Sequence, residues 1–591
     1  MSNQNELQEI ITCLKLTYQS PSKEERQNAE KKLSEFGNIN FSALVKILLE
    51  SIKPESQISK DESLKTAIIL YLNREIQKRI FSSTLIDDKD LIKYYLDFML
   101  LTPLSRKAIN NLVIALKELI NYNKKDSTFL INLSILLGNS LGNLQLSNMN
   151  SMLAILKIIM TSESINSINY TSIIENVINI SKIIIEGLYN KYQEINYQNN
   201  QMEFFEINNL YADLFDLLFI SLFNMKKKFK SNKGNIVNAY KIFVPIGIKL
   251  MVNENTPSII IWEEKNDLDT NMNKYKIKIF KYINNVILSF DSIINDQEII
   301  QLHNILIRAI LKDLEWIINN KLTYIINMGC LNAKENYKDN KYSHLIAYML
   351  IYLDRILSKD TFRINFKNYE IQLFKDIILP LLIITKKELS DSNNEDSYDD
   401  YIIEVTDVIQ NNKEISIKSS VGSLLKNLNS KDKMAIFIAK YILILLMNAF
   451  GNPMQNDIYS YNDKINVILQ NDNEKKIDLG LLVLCIIGEC TNEDENIHKG
   501  IINDIIIFIS KVSNIIFSDK IPIYIKFKII LFIKSYLDDF AKIQPEEFQF
   551  LIKYLIENMF TSNQSIISKI SAEVLNEILT NKDKKKINNN F

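Results

Sequence analysis

Apolar residues recur along the chain at intervals of three and four, in runs of about 15 to 20 residues separated by short polar breaks. That period predicts amphipathic helices, one after another. The pattern gives helices over Glu6 to Tyr18, Phe41 to Ser51, Ser63 to Ile80, Asp90 to Leu101 and Pro103 to Asn121, then Asp126 to Leu141 and Ser147 to Met160. A further one, Ser172 to Tyr189, opens on the capping-box pair Ser172 and Glu175. Within Thr17 to Phe36, Ser22 and Glu25 form another such box, and Ala29, Leu33 and Phe36 make a narrow apolar stripe. A helix with so thin a stripe is marginal alone in water and must lean on a neighbour. Farther on, Ile279, Phe280, Ile283, Val286, Ile287 and Phe290 mark a wider stripe, read as inter-helix core.

Pairs of these helices return at roughly 40 residues without an exact repeat, a spacing that suits HEAT-type helical hairpins. In a stack of hairpins each stripe is buried against the units before and after it, so thin stripes suffice together. The expectation is an all-α superhelical solenoid of roughly ten hairpins. Three polar stretches break the rhythm: 190–204, 251–273 and 389–407. They divide the chain into amino-terminal repeats 1–190, central repeats 191–388, an acidic insertion 389–407, carboxyl-terminal repeats 408–581 and a basic tail 582–591.

Composition narrows the chemistry. Only 12 Gly and 9 Pro occur in 591 residues, too few for many β-turns or a Gly-rich phosphate loop. Lys plus Arg (69) balances Asp plus Glu (70), so no overall field favours direct nucleic-acid binding. Four cysteines do not make a secreted disulfide framework, and the longest apolar runs are about half the roughly 18 to 20 residues a membrane span requires. A reducing compartment, cytosol or nucleus, is expected, with no membrane insertion. No nucleotide-loop, dinucleotide, zinc-protease or hydrolase motif is present. Cys485, Cys490 and His498 lack the spacing of a zinc module, and His303 and His344 are isolated. No catalytic residue, metal or cofactor is expected, and the chain is read as a non-enzyme. Two charged stretches remain: the acidic one, read as a solvated loop, with Glu395, Asp396, Asp399, Asp400 and Tyr401 as the candidates if it instead contacts a basic partner, and Lys226 to Lys233, read as a lysine-rich helix end rather than a site for an acidic partner or nucleic acid.

The order of local motifs resembles the importin-β family of nuclear transport receptors, in the branch of the cellular apoptosis susceptibility exporter and its importin relatives. Arg26, Ala29, Glu30 and Leu33 look like the first-repeat R-x-x-A-E-x-x-L pattern. Ala67 and Asn73 match an A-x-x-x-x-K-N segment, with Leu72 in place of the Lys and Ile80 near the usual Trp; Arg106 stands in the following repeat. Tyr275, Lys276 and Tyr282 lie on or near a W-K-x-x-K-W helix. Asp399, Asp400, Tyr401 and Ile402 resemble D-P-x-E-Y-I, and Gly480, Leu481, Ile487 and Gly488 resemble G-A-L-x-x-I-G-x-L. Members of that family commonly continue for several hundred residues more, and most of their signature tryptophans are absent, since only Trp262 and Trp316 occur.

The resemblance implies a carrier moving between cytoplasm and nucleus through the nuclear pore. It implies contact with the small GTPase Ran near Asn73, Arg74 and Arg106, cargo on one face of the stack, and phenylalanine-glycine nucleoporin repeats between helices of the other. The competing expectation is a HEAT-repeat scaffold derived from such a receptor and fixed in a larger assembly with other subunits.

Overall fold

The computed structural model describes residues 2–39, 41–56, 61–81, 89–122, 133–135, 137–138, 146–161, 167–194, 201–228, 233–252, 259, 267–287, 297–328, 341–394, 397–410, 415–430, 432–451, 464–488, 495–516, 521–536, 545–560 and 565–580. Among these the regular structure is all helical, without a strand, as the 3.6-residue periodicity predicts. The chain divides into two compact units, Met1–Gly247 and Ile248–Phe591.

The helices of the amino-terminal stretch are α1 (Ser2–Gln19), α2 (Lys23–Ile39), α3 (Phe41–Ser51), α4 (Glu62–Phe81), α5 (Lys89–Leu101), α6 (Arg106–Tyr122), α7 (Leu146–Thr161), α8 (Ser167–Glu194), α9 (Gln201–Lys228) and α10 (Lys233–Met251). The thin helix α2 leans on α1 and α3, burying Ala29 and Leu33 and half-burying Phe36. Its cap is a variant of the expected box. Ser22 Oγ accepts from the Glu25 N–H at 3.3 Å, but the Glu25 carboxylate accepts from the Ser20 hydroxyl at 2.6 Å rather than from Ser22. Ser20 Oγ in turn accepts the Ser22 N–H at 3.1 Å, so the orphan donor is still satisfied. Hairpins α1–α2, α3–α4, α5–α6 and α8–α9 each pack within themselves. Helices α4, α6, α7 and α9 form a continuous row, each touching the next.

Ser172 is not a cap. Residues 167–171 are already helical, so Ser172 sits inside α8, where no free N–H awaits a side chain. Residues 195–200 and 229–232, within the polar stretch 190–204 and the lysine-rich Lys226 to Lys233, lie outside the described residues.

The second unit contains α11 (Asp267–Ile287), α12 (Gln297–Asn320), α13 (Leu322–Met328), α14 (Lys341–Leu357), α15 (Asp360–Phe366), a helical segment 367–381, α16 (Lys386–Asp391), α17 (Tyr398–Gln410), α18 (Ile417–Asn429), α19 (Asp432–Ala449), α20 (Lys464–Leu469), α21 (Asn473–Gly488), α22 (Glu495–Ile516), α23 (Ile523–Ser535), α24 (Pro545–Tyr554) and α25 (Ser565–Thr580). Again one row is continuous: α11, α14, α18, α21, α23 and α25 each touch the next. The stripe on α11 is core, with Ile279, Phe280, Ile283, Val286 and Ile287 all buried. Phe290 lies outside the described residues. His303 on α12 is fully buried, its Nδ1 2.6 Å from the Tyr352 hydroxyl and its ring edge-on to Phe362. Burial pushes its pKa down to about 3, so it is a neutral packing residue.

Segment 367–381 contains a π-helical turn, Leu373–Ile378, closed by the Leu379 N–H donating to the Phe374 carbonyl. Pro380 follows directly. Its ring cannot share a regular turn with the carbonyl four residues back, and the wider turn relieves that clash.

Candidate partner-binding surfaces

Three surfaces stand out from the packing, and each is built from helices already placed.

The first is a ladder of ion pairs along the continuous row of the first unit. Arg74 on α4 pairs with Glu30 on α2 at 3.1 Å, and its guanidinium stacks over Tyr71, 5.8 Å from the ring centre. Arg106 at the start of α6 pairs with Asp213 on α9, and Lys157 on α7 pairs with Asp216. The basic members remain accessible, with side chains 51%, 37% and 45% exposed for Arg74, Arg106 and Lys157. Asn73 is placed differently. It is buried, and its amide donates to the Asn111 carbonyl on α6 at 2.9 Å, so it holds α4 against α6. Arg74 and Arg106 therefore present charge, whereas Asn73 positions the helix that carries Arg74.

The second surface is the acidic stretch. Expected as a loop, it is largely helix: α17 begins at Tyr398, because Tyr401, Val405, Val408 and Ile409 supply a buried stripe at i, i+4, i+7 and i+8. Asp399 and Asp400 are exposed in its first turn, where they also complement the helix dipole. Tyr401 is buried against Phe527, with ring centres 5.6 Å apart, and is unavailable to a partner on the surface. Glu395 and Asp396 lie outside the described residues. Glu404 faces Lys387 at 3.9 Å; burial and then the charge of Glu388 push its pKa up to about 7.

The third was not legible in the sequence. Between α12 and the stretch α15 plus 367–381 runs a groove of about 540 Å³. Ile307, Leu311, Phe362, Phe366, Leu373 and Ile377 supply its apolar lining, and Arg308, Lys312, Glu315 and Asp376 its charged rim. The π-helical turn contributes three lining residues, Leu373, Asp376 and Ile377. Tyr369 also lines the groove and is exposed. Such a groove accepts one or two bulky apolar side chains of a partner and can orient them through its polar edge.

No group of three or more His, Cys, Asp or Glu among the described residues could hold a metal ion. Cys485 is buried, its thiol donating to the Lys528 carbonyl, and Cys490 lies outside the described residues. No helix among the described residues is long and apolar enough to cross a membrane.

These features define an all-α protein of stacked helical hairpins whose accessible surfaces suit binding. No family model matches the chain, and no curated protein matches it. Solved structures similar to it include the karyopherin Kap121p bound to the SUMO protease Ulp1p, at TM-score 0.33 and 11% identity, covering 98% of this chain. The chain spans 57% of the length of that Kap121p chain. Yeast importin-β, Kap95p, is similar at TM-score 0.25 and 10% identity over 99% of this chain and 78% of its own. Kap95p in a complex with its partner Nup1 gives TM-score 0.25 and 11% identity over 97% of this chain and 77% of its own. Likenesses of this strength decide neither family nor function.

Proposed function

We propose that the chain is a nuclear transport receptor of the importin-β type, without enzymatic activity. It binds a Ran-type GTPase through the accessible ladder carrying Arg74 and Arg106, binds protein cargo, and takes phenylalanine-glycine nucleoporin repeats in the groove between α12 and 360–381. Its location would be cytoplasm and nucleus, with passage through the pore. The observation that carries this reading is the groove. It lies between helices, as the motif resemblance implies for nucleoporin contact, and it is apolar inside and polar at the edge.

Energetics fit a carrier. One phenylalanine side chain buried in such a groove is worth at most roughly 1.5 to 3 kcal/mol, which gives weak and quickly reversible contacts. Switching by Ran between cargo-loaded and unloaded forms, from 1:99 to 99:1, would require about 5.5 kcal/mol of differential binding. Hairpins that touch chiefly their neighbours can supply two such forms through small rotations at each joint.

Two measurements on the full chain test the proposal. Phenylalanine-glycine repeat peptides should bind weakly, and Leu311→Glu, which puts a charge on the half-exposed groove wall, should remove that binding. Ran locked with GTP should be captured and Ran with GDP should not. Nucleotide-indifferent capture, with other subunits co-purifying stoichiometrically, would overturn the carrier in favour of the fixed scaffold.

A further inference from the structure

Four charged residues sit where the second unit is driest. Lys418 on α18 donates to the Glu388 carboxylate on α16, and both side chains are 5% exposed. Lys528 on α23 donates to Asp478 on α21, at 3% and 0% exposure. Glu388 also closes the capping box of α16, its carboxylate accepting the Thr385 N–H at 2.7 Å, but no such local role calls for charge at the other three. Lys528 lies in the apolar run IYIKFKIILF between Phe527 and Ile529, both buried, and Asp478 lies in IDLGLLVLCIIG. In the ion-pair ladder of the first unit, by contrast, Arg74, Arg106 and Lys157 stay more than a third exposed.

The two pairs are not independent. Helix α21 packs on both α18 and α23, and α17 packs on both α18 and α21. Tyr401 from α17 reaches Phe527 on α23, beside Lys528. Each carboxylate also feels the other pair: Lys528 acts on Glu388, and Lys418 on Asp478. Burial works to raise the Glu388 pKa, yet Lys418 and the Thr385 N–H outweigh it and hold the group ionised. The order acid, base, acid, base thus runs across four helices, with burial, opposed by Lys528, raising the Asp478 pKa.

We infer that Glu388, Lys418, Asp478 and Lys528 form one buried chain of alternating charge, which makes α16, α17, α18, α21 and α23 open together as a single block. A buried ion that loses its partner is strongly unfavourable, whereas an intact set of ion pairs fixes one relative placement of the helices bearing it. The apolar stripes around it are far less particular about register. Flexing within the second unit is then confined to hairpins outside the block, such as those containing α11 and α14. The block does not depend on the identity of any partner.

Amide hydrogen exchange on the full chain tests it. Peptides from α17, α21 and α23 should exchange at a common rate in the unaltered protein. Glu388→Gln and Asp478→Asn should each accelerate all three by roughly a hundredfold to several thousandfold, the loss expected when one member of a buried pair is removed. The double variant should add little, since the block is already released, and α11 should be unaffected. The inference fails if Glu388→Gln loosens only α16 to α18, Asp478→Asn loosens only α21 and α23, and the double variant shows the product of the two effects. Should the single variants not fold, Glu388→Leu combined with Lys418→Met removes one pair without stranding a charge. That variant should split the common rate of α17 and α23, and retention of the common rate would overturn the inference equally.

Discussion

Replacing Gly422 with alanine opposes two effects whose sizes can be compared. Alanine favours the helix by about 1 kcal/mol over glycine in an interior turn. Yet a Cβ at Gly422 would lie 2.5 Å from the Val408 carbonyl oxygen and 3.3 Å from Val408 Cγ1. The first of these is backbone and cannot rotate away. To reach ordinary contact at 3.4 Å, α17 must withdraw from α18 by about 0.9 Å, the difference between 3.4 and 2.5. Such overpacking typically costs about 1 to 3 kcal/mol, so the net change is a loss of up to roughly 2 kcal/mol, concentrated where α17 meets α18. Gly187 and Gly500 give the reference, because a Cβ there meets nothing within 4 Å. Alanine at either should stabilise its helix by up to about 1 kcal/mol. Because a chain of two units need not unfold in one step, the suitable assay is hydrogen exchange of the peptide covering 398–410 rather than a single melting temperature. The expected result is exchange up to about thirtyfold faster in Gly422→Ala, and slower local exchange around residues 187 and 500 in the reference variants. If Gly422→Ala protects its helix as the other two do, the close approach of α17 and α18 is wrong.

Two further outcomes follow from the same region. Because the folded protein raises the Glu404 pKa to about 7, its neutral form is favoured on folding, and the stability this gives is complete below the ordinary glutamate value and is lost as pH rises through 7. Thermal unfolding of the unaltered chain and Glu404→Gln, compared at pH 6 and pH 8, should show the variant gaining most at pH 8; an equal difference at both would refute the assignment. Asp399→Asn with Asp400→Asn should weaken binding of a lysine-rich peptide at low ionic strength and lose the difference at high salt, and unchanged affinity at low salt would make the first turn of α17 a passive solvated face.

The hairpins were legible because period and punctuation agree in most of them. Phe41–Ser51 was predicted as observed, and α5 and α7 within one residue at each end, since their apolar stripes stop abruptly at polar breaks. The box at Ser172 misled because a capping pattern has meaning only where the preceding backbone is not helical, which a sequence window cannot show. The acidic stretch misled for a different reason. Its charges drew attention from Tyr401, Val405, Val408 and Ile409, whose spacing already described a helix. The groove was beyond reach altogether, because Ile307 and Leu311 become its wall only when Phe362, Phe366 and Ile377 are brought opposite from more than fifty residues away. Of the buried charge chain only Asp478 left a plain mark, a lone aspartate in the apolar run IDLGLLVLCIIG.

Register between neighbouring helices remains to be explained, because leucine and isoleucine surfaces slide over one another at small cost. In both units the answer is a side chain that donates to a main-chain carbonyl of the adjoining helix. Tyr71 reaches Leu33, Asn73 reaches Asn111 and Tyr95 reaches Leu112 in the first unit. Asn284 reaches Tyr348 and Asn427 reaches Asp354 in the second. A helical carbonyl keeps a second lone pair after closing its own turn, so accepting such a donor does not break the helix. Each bond contributes only about 1 kcal/mol net, but it is directional, and it fixes one point of contact while leaving rotation about that point free. A joint made this way is located without being rigid. Joints of this kind let a stack bend by small equal steps, whereas the four-charge chain clamps several helices at once. The same fold thus holds yielding and unyielding segments, and which one a partner engages decides whether its binding is felt by the next hairpin.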